Sequence, residues 1–240
     1  MTISMIRVMA IVRKEIREFR GNRSILATMV LIPFVFVLNP VIQIFALRAS
    51  AAEGLAHVHV LLYMLGIPAI VPAVISAYSI VGERQQGSLE PVLTTPIRRE
   101  ELLLGKALAA LLPSLAVAYL VYAAVLAAIA LFAAPAVAAA LLQVPDVVAE
   151  IVYAPLLAGW SIWVGIAISG RSSDPRSAQQ LGTMASVPSA IVAVLAAYDV
   201  IHPTPAIAIG AAALLVVLNV TGWRVASALF DRERLITGTR

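Results

Sequence analysis

The sequence predicts an all-α polytopic membrane protein with six transmembrane helices. Of its 240 residues, 61% are hydrophobic and only 12% are charged, whereas soluble domains are about 45–50% apolar and about 25% charged. Six stretches contain no Asp, Glu, Lys or Arg, and each has the roughly 20 residues that a helix needs to cross the hydrocarbon. They are apolar on every face and do not alternate between apolar and polar residues, which favours helices over barrel strands. The stretches are 24–47, 54–82, 107–145, 151–170, 177–198 and 200–223.

The predicted spans belong to one transmembrane domain that covers residues 1–240. The stretch 107–145 is too long for one span and too short for two, so span three should end near residue 131 and be followed by a short segment with Pro135 and Pro145. Spans one and two contain prolines, which membrane helices tolerate where neighbouring helices satisfy the freed carbonyls. Spans one to six are predicted at about 24–47, 57–81, 107–131, 148–169, 179–198 and 204–223.

An amphipathic helix is predicted before span one, at residues 5–20. Its apolar residues, such as Val8, Val12 and Phe19, recur at helical spacing, and its basic residues lie mostly on other faces. This pattern is typical of a helix lying in the membrane interface. A cytosolic helix packed on protein is the alternative.

The distribution of Lys and Arg predicts the orientation of the spans. Basic residues in short loops accumulate on the cytoplasmic side. With six spans, all of the 17 Lys and Arg residues except Arg48 fall on the side that holds both termini. We therefore expect cytoplasmic termini in a prokaryotic inner membrane. Basic residues facing anionic lipid also explain the net charge of +4 better than binding to nucleic acid does.

The residues that commonly carry catalysis or bind cofactors are missing or isolated. The chain has no cysteine, and its Gly105-Lys106 pair is followed by Ala107, where a nucleotide-binding loop needs Ser or Thr. The histidines His57, His59 and His202 fall near loops and are better explained by solvation than by a metal site. No predicted span has a charge at its centre, which weighs against an ion-coupled carrier. We expect no catalytic, cofactor or metal-binding residue in this chain.

The segment 82–106 is a polar island between apolar spans two and three. It contains eight charged residues, and a short helix is predicted within it. Ser88 suits the helix N-cap, and Pro91 is tolerated in the first turn. Thr94-Thr95-Pro96 ends this helix, and a second helix starts at Arg98 and leads into span three.

This island, GERQQGSLEPVLTTPIRREELLLGK, resembles the loop signature of ABC-2-type transporter permeases. The resemblance extends to the basic N-terminal helix with Arg13-Lys14-Glu15 and to Gln179-Gln180-Leu181-Gly182 at the start of span five. It implies a six-helix permease that pairs with a second copy or a related permease. It also implies two separate cytosolic ATPase subunits, which bind the ATP and Mg²⁺.

In that family, the loop after span two forms a cytoplasmic coupling helix that docks on the ATPase. The resemblance places this helix at about residues 87–93, with a hinge before it and with the N-terminal helix as the connecting helix. The residues that it implicates in ATPase coupling are Glu83, Arg84, Gly87, Ser88, Leu89, Glu90, Val92 and Leu93.

Polar and aromatic residues inside the spans are candidates for lining a translocation path. Packing between helices is the alternative role for each of them. An apolar path with aromatic residues favours drug-like, lipidic or amphipathic cargo. The candidates are Asn39, Gln43, Tyr119, Tyr122, Trp160, Trp163 and Asn219.

The sequence thus predicts the permease subunit of an ATP-driven exporter. Two other functions stay open at this point. A secondary carrier or channel would need no ATPase, and a membrane scaffold would assemble a cytosolic complex without transport.

Overall fold

The computed structural model describes residues 3–46, 58–87, 97–202 and 204–229. Within these ranges the chain is helical, and no strand is present. Six helical segments are long and apolar enough to cross a membrane. The prediction of an all-α polytopic membrane protein with six spans is confirmed.

The spans follow one another through short connections. Span two consists of three consecutive helical parts, Val60–Leu65 (a 3₁₀ helix), Gly66–Tyr78 and Val81–Gln85. A further short helix, Pro135–Leu141, lies between spans three and four. Spans one, three, four, five and six are the helices Arg23–Ala46, Arg99–Phe132, Val144–Arg171, Pro175–Ala197 and Pro205–Leu229.

Spans three and four begin earlier than the apolar stretches do. The helix predicted to start at Arg98 is continuous with span three and runs from Arg99, ahead of the apolar stretch that begins at residue 107, and span four starts at Val144 and not near residue 148. The Glu101 carboxylate accepts a hydrogen bond from the Arg98 backbone N–H at 3.1 Å, which satisfies a donor at the helix start. A charge-free stretch marks only the part of a helix that suits the hydrocarbon of the membrane. The helix itself extends beyond this stretch as long as its backbone N–H and C=O groups have hydrogen-bond partners.

Span two is the centre of the bundle, and span six lies at its edge. Span two is almost entirely buried and packs mainly against spans four and five, whereas span six contacts mainly span four and has few buried residues. The Ser161 hydroxyl donates to the Ala69 carbonyl at 2.6 Å, so spans two and four are also joined by a buried hydrogen bond. Pro72, inside span two, is thereby surrounded by protein.

The N-terminal helix, Met5–Gly21, packs against span three. It buries Val8, Val12 and Phe19 and leaves Met5 and Met9 exposed. The Asn22 side chain then accepts hydrogen bonds from the backbone N–H groups of Ser24 and Ile25, at the start of span one. The location of this helix in the membrane interface stays a prediction.

Candidate functional site

Four charged residues meet where the N-terminal helix contacts spans two and three. We call Lys14, Glu15, Glu83 and Lys106 the charge cluster. Lys106 is 1% exposed, Glu15 is 1% exposed and Glu83 is 3% exposed. Because buried charges are costly unless they are paired, their mutual contacts decide whether this arrangement is stable.

Lys106 is the central member of the charge cluster. Its Nζ lies 2.8 Å from Glu15 Oε1, 2.8 Å from Glu83 Oε2 and 2.8 Å from the Ser79 carbonyl oxygen. The ammonium group donates hydrogen bonds to Glu15 and the Ser79 carbonyl and forms an ion pair with Glu83. One side chain of span three therefore binds both the N-terminal helix and span two.

Lys14 supplies the second positive charge. Its ammonium contacts Glu83 and lies 3.5 Å from Glu15 Oε1 and 3.1 Å from Glu18 Oε1. Partial burial acts to lower the pKa of Lys14, but the carboxylates of Glu15 and Glu83 outweigh it, and the pKa is raised. The two acids and two bases of the charge cluster balance each other.

The carboxylates of Glu15, Glu18 and Glu83 are close enough to one another to bind a metal ion, since their oxygens lie within 4.8 Å. Lys14, however, contacts all three of them. The positive charge that a metal would supply is thus already provided by an ammonium group. We interpret these acids as parts of an ion-pair network.

The charge cluster lies beside an interruption in span two at Ser79 and Ile80. A break in a helix leaves backbone groups without their usual partners. Ser169 of span four accepts hydrogen bonds from Ile80 N at 3.0 Å and Val81 N at 3.1 Å, while Lys106 binds the Ser79 carbonyl. Spans three and four thus satisfy the backbone of this interruption from two sides.

Arg84 connects the end of span two with the end of span four. Its two terminal nitrogens donate to the carbonyls of Ser172 at 3.1 Å and Gly170 at 3.2 Å. A cation at the C-terminus of a helix is electrostatically favourable, because the last carbonyls carry partial negative charge. Glu83 and Arg84, adjacent in span two, therefore bind different neighbours: Glu83 binds Lys106 of span three, and Arg84 binds the end of span four.

A second ion pair attaches the start of the N-terminal helix to span three. Arg7 Nη2 lies 2.7 Å from Glu101 Oε1, and Arg7 Nε donates to Oε2 at 2.8 Å. The Ser4 backbone N–H also donates to Glu101, at 2.8 Å. The hydrogen bond to Glu101 raises the pKa of Arg7. This two-point geometry fixes orientation as well as distance.

Between the two ion pairs, the N-terminal helix approaches the backbone of span three at Gly105. A Cβ added there would lie 2.7 Å from Ile11 Cβ, closer than carbon atoms pack. Arg7, Ile11 and Glu15 recur every four residues and therefore share one face of the helix. That face contacts span three at Glu101, Gly105 and Lys106, which makes the two helices one packed unit.

The structure describes part of the predicted coupling loop. Glu83 lies within the charge cluster, and Arg84 binds the end of span four. Gly87 follows with a φ of +68°, a left-handed conformation that glycine adopts without steric cost. The other predicted coupling residues, Ser88, Leu89, Glu90, Val92 and Leu93, lie outside the described residues.

The predicted path residues make polar contacts between different pairs of spans. The Trp163 indole N–H donates to Asn219 Oδ1 at 3.2 Å, and Asn219 also donates to the Leu156 carbonyl at 2.9 Å. The Tyr119 hydroxyl donates to the Ile151 carbonyl at 3.2 Å. These contacts join spans four and six and spans three and four, and their role in a path stays a prediction.

The remaining path candidates are spread over the bundle. The Asn39 amide donates to the Tyr198 hydroxyl, joining span one to the end of span five. Tyr122 is buried and Trp160 is partly buried. The side chain of Gln43 lies outside the described part of the chain.

Sequence reasoning missed the partners of Glu83. Glu15 has a detectable signal, because it lies three residues after Val12 and four before Phe19, on the apolar face of the N-terminal helix. Lys106 has a weaker sequence signal, because it is a single cation at the start of an apolar stretch. Their pairing with each other has no local signal, since 91 residues separate them.

The sequence profile of the family described as "ABC-2 family transporter protein" matches residues 9–221. The match includes the whole charge cluster, the polar island and spans one to five, with most of span six. None of the curated proteins is significantly similar to this chain.

Proposed function

The chain belongs to the ABC-2 transporter family, which makes it a multi-pass membrane permease, and we propose that it is the membrane subunit of an ATP-driven exporter. In this proposal it forms a dimer with a second copy or a related permease in a prokaryotic inner membrane, with both termini in the cytoplasm. Two separate cytosolic ATPase subunits bind ATP and Mg²⁺, and this chain hydrolyses no nucleotide itself.

The charge cluster is the observation that supports this proposal most directly. The loop after span two is where family resemblance predicts ATPase docking, and Glu83 lies in the last helical part of span two, just before that loop. Glu83 is bonded through Lys106 to span three and to the N-terminal helix. A displacement of the loop therefore acts on three elements at once instead of bending one flexible connection.

A displacement of the loop could be transmitted to the bundle as a rigid-body movement of packed helices. Close-packed helices shift as rigid bodies more readily than they deform. The interruption at Ser79 and Ile80 lies directly beside the charge cluster, with its backbone held by spans three and four. We propose that ATP-driven motion enters at the loop and pivots span two at this interruption.

Drug-like, lipidic or amphipathic molecules are the proposed cargo. Four of the seven path candidates are aromatic, namely Tyr119, Tyr122, Trp160 and Trp163, and the spans that carry them are otherwise apolar. A path lined in this way suits molecules with a substantial apolar part. The proposed direction, export, comes from the family resemblance.

The test is ATP turnover by the permease reconstituted in proteoliposomes with its ATPase. Leu89→Pro should break the coupling helix and abolish stimulation of ATP turnover by cargo, while membrane insertion stays intact. Glu83→Gln should weaken stimulation, because it removes one charge from the cluster. Glu100→Gln changes an exposed carboxylate of the same segment and should behave like wild type.

Unchanged stimulation in both Leu89→Pro and Glu83→Gln would overturn the coupling proposal. Transport by the permease alone, without ATPase, would identify a carrier or channel. Stable complex formation with no transport of any cargo would identify a scaffold.

A further inference from the structure

A buried acid of span four lies apart from the charge cluster, near the opposite end of the bundle. Glu150 is 1% exposed. Within the described part of the chain, neither of its carboxylate oxygens has a hydrogen-bond partner. The hydroxyl of Tyr122, in span three, is likewise buried and unpartnered there. Buried polar groups normally have hydrogen-bond partners, so these two groups indicate a partner that is not among the described residues.

The surroundings of Glu150 are aromatic and acidic. The Tyr119 hydroxyl donates to the carbonyl of Ile151, the residue after Glu150, at 3.2 Å, so span three meets span four at this turn. Tyr122 follows Tyr119 by three residues and therefore lies one helical turn further along the same face of span three. Asp146, one helical turn before Glu150, is already paired, since it lies 2.6 Å from His59 Nδ1. Glu150 is thus the acid of this region whose carboxylate has no hydrogen-bond partner among the described residues.

This chemistry matches an organic ammonium group. A buried carboxylate is stabilised by a cation, and the faces of tyrosine rings attract ammonium groups in particular. Divalent metals such as Mg²⁺ and Ca²⁺ prefer several oxygen ligands, whereas one carboxylate and one hydroxyl are available here.

Exposed apolar side chains occur close to Glu150 and Tyr122 along spans three and four. Ile151 follows Glu150 in the chain and is 58% exposed, Val148 is 52% exposed, and Leu120, between the two tyrosines, is 70% exposed. A molecule whose ammonium group reached Glu150 would be able to place an apolar part on these side chains. Charge and surface together favour an amphipathic cation over a small inorganic one.

We propose that Glu150 and Tyr122 form a binding site for the ammonium group of an amphipathic molecule. This site would give the proposed permease a cationic substrate class, and in that respect it rests on the proposed function. The ammonium group belongs either to a free amphiphile or to a lipid headgroup, and both offer the same chemistry to Glu150.

Binding to the full-length permease in nanodiscs tests the site without the ATPase. The probe is tritiated dodecyltrimethylammonium, measured by scintillation proximity in phosphatidylglycerol nanodiscs, with empty nanodiscs subtracted. We expect saturable binding that dodecanol, the uncharged analogue, displaces at least tenfold less effectively. Glu150→Gln keeps the shape of the side chain, removes its charge and should raise Kd at least tenfold.

Matched variants distinguish a specific loss of binding affinity from a general loss caused by misfolding. Asp199→Asn changes an acid of the connection after span five, paired with His202, and should leave Kd unchanged. Tyr122→Leu removes the ring and should weaken binding severalfold, whereas Tyr122→Phe should weaken it less. If Glu150→Gln fails to fold, Glu150→Asp retracts the carboxylate by one methylene and should still raise Kd severalfold.

Three results would overturn the proposal. The first is the absence of saturable probe binding by the wild type. The second is an unchanged Kd in Glu150→Gln, and the third is a loss of affinity in Glu150→Gln that is equal for the cation and for dodecanol. The source of the ammonium group is decided by adding phosphatidylethanolamine to the nanodiscs. Weaker probe binding in wild type, but not in Glu150→Gln, assigns the site to the lipid headgroup, and unchanged binding assigns it to a free amphiphile.

The outcomes also separate this inference from the proposed function. Normal coupling to the ATPase with no dependence of binding on Glu150 would overturn the ammonium site alone. Binding that depends on Glu150, together with no coupling to any ATPase, would overturn the exporter proposal and keep the site.

Discussion

The Lys106 ammonium lies 2.8 Å from the Glu83 carboxylate, and this ion pair joins the start of span three to the end of span two. Lys106 also lies 2.8 Å from Glu15 of the N-terminal helix. Both carboxylates thus depend on one cation that is 1% exposed. This dependence makes Lys106 the residue of the charge cluster whose loss matters most.

Replacement of Lys106 by Met should destabilise the protein strongly. It leaves Glu15 and Glu83 buried beside each other, and breaking a buried ion pair by removing one partner costs about 3–5 kcal/mol. Denaturant unfolding in mild detergent measures the change. Lys14→Met, at the half-exposed edge, should cost much less, and adding Glu15→Gln and Glu83→Gln to Lys106→Met should restore most of the loss. Equal effects of the two lysine variants would contradict the central role of Lys106.

Gly105→Ala should separate the N-terminal helix from span three. The new Cβ would lie 2.7 Å from Ile11 Cβ, so the helices must move apart, and overpacking of this kind costs about 1–3 kcal/mol. Thermal unfolding and limited proteolysis of the N-terminal helix would detect the change. Gly210→Ala in span six is the control and should not destabilise the protein, because an added Cβ there would meet no atom of another described segment within 4 Å.

Ser169→Ala should loosen the interruption in span two. It removes the acceptor for the backbone N–H groups of Ile80 and Val81, and a buried donor without a partner costs about 1–3 kcal/mol. Hydrogen exchange at residues 80 and 81 should accelerate. Ser169→Thr retains the hydroxyl and should protect these amides better than Ser169→Ala. Exchange at the wild-type rate in Ser169→Ala would show that this contact is dispensable.

The start of span five should depend on pH through Asp174. Its carboxylate accepts a hydrogen bond from the Ser177 backbone N–H at 2.9 Å, which lowers the pKa of Asp174. A lowered pKa means that the cap stabilises the folded state above the unfolded-state pKa of about 3.9. This stabilisation is lost as the pH falls through the still lower folded pKa.

Hydrogen exchange of the first turn of span five, corrected for intrinsic rates, tests this cap. Asp174→Asn should keep protection without the loss in acid, because Asn also caps helices. Asp174→Ala should lack protection throughout. Identical pH profiles for wild type and Asp174→Asn would show that Asp174 does not titrate in this range.

Cysteine labelling should establish the orientation of the spans. The chain has no natural cysteine, so single substitutions report without background. Ser50→Cys, in the predicted outer loop, should react with an impermeant maleimide on intact cells. Thr239→Cys, in the C-terminal tail, should react only after permeabilisation. Labelling of Thr239→Cys on intact cells would reverse the predicted topology.

The fold was largely predictable because lipid imposes a simple rule. A helix that crosses the hydrocarbon must be apolar over its whole length, so spans such as Pro205–Leu229 are visible as charge-free runs. The start of span four was not, because the helix Val144–Arg171 includes Asp146 and Glu150, which lie outside the charge-free stretch 151–170. Glu83 and Arg84 were identified through family resemblance and not through their contacts.

By itself, the sequence determined the fold class, the number of spans and the family, since these depend on composition and on motifs within short segments. The tertiary structure alone decided which charges meet. Lys106 is separated by 91 residues from Glu15, and Glu150 lies just before the charge-free stretch 151–170, with no local signal of its burial. Burial converts such charges from solvated groups into ones that require a partner, and burial depends on the packing of helices far apart in the chain.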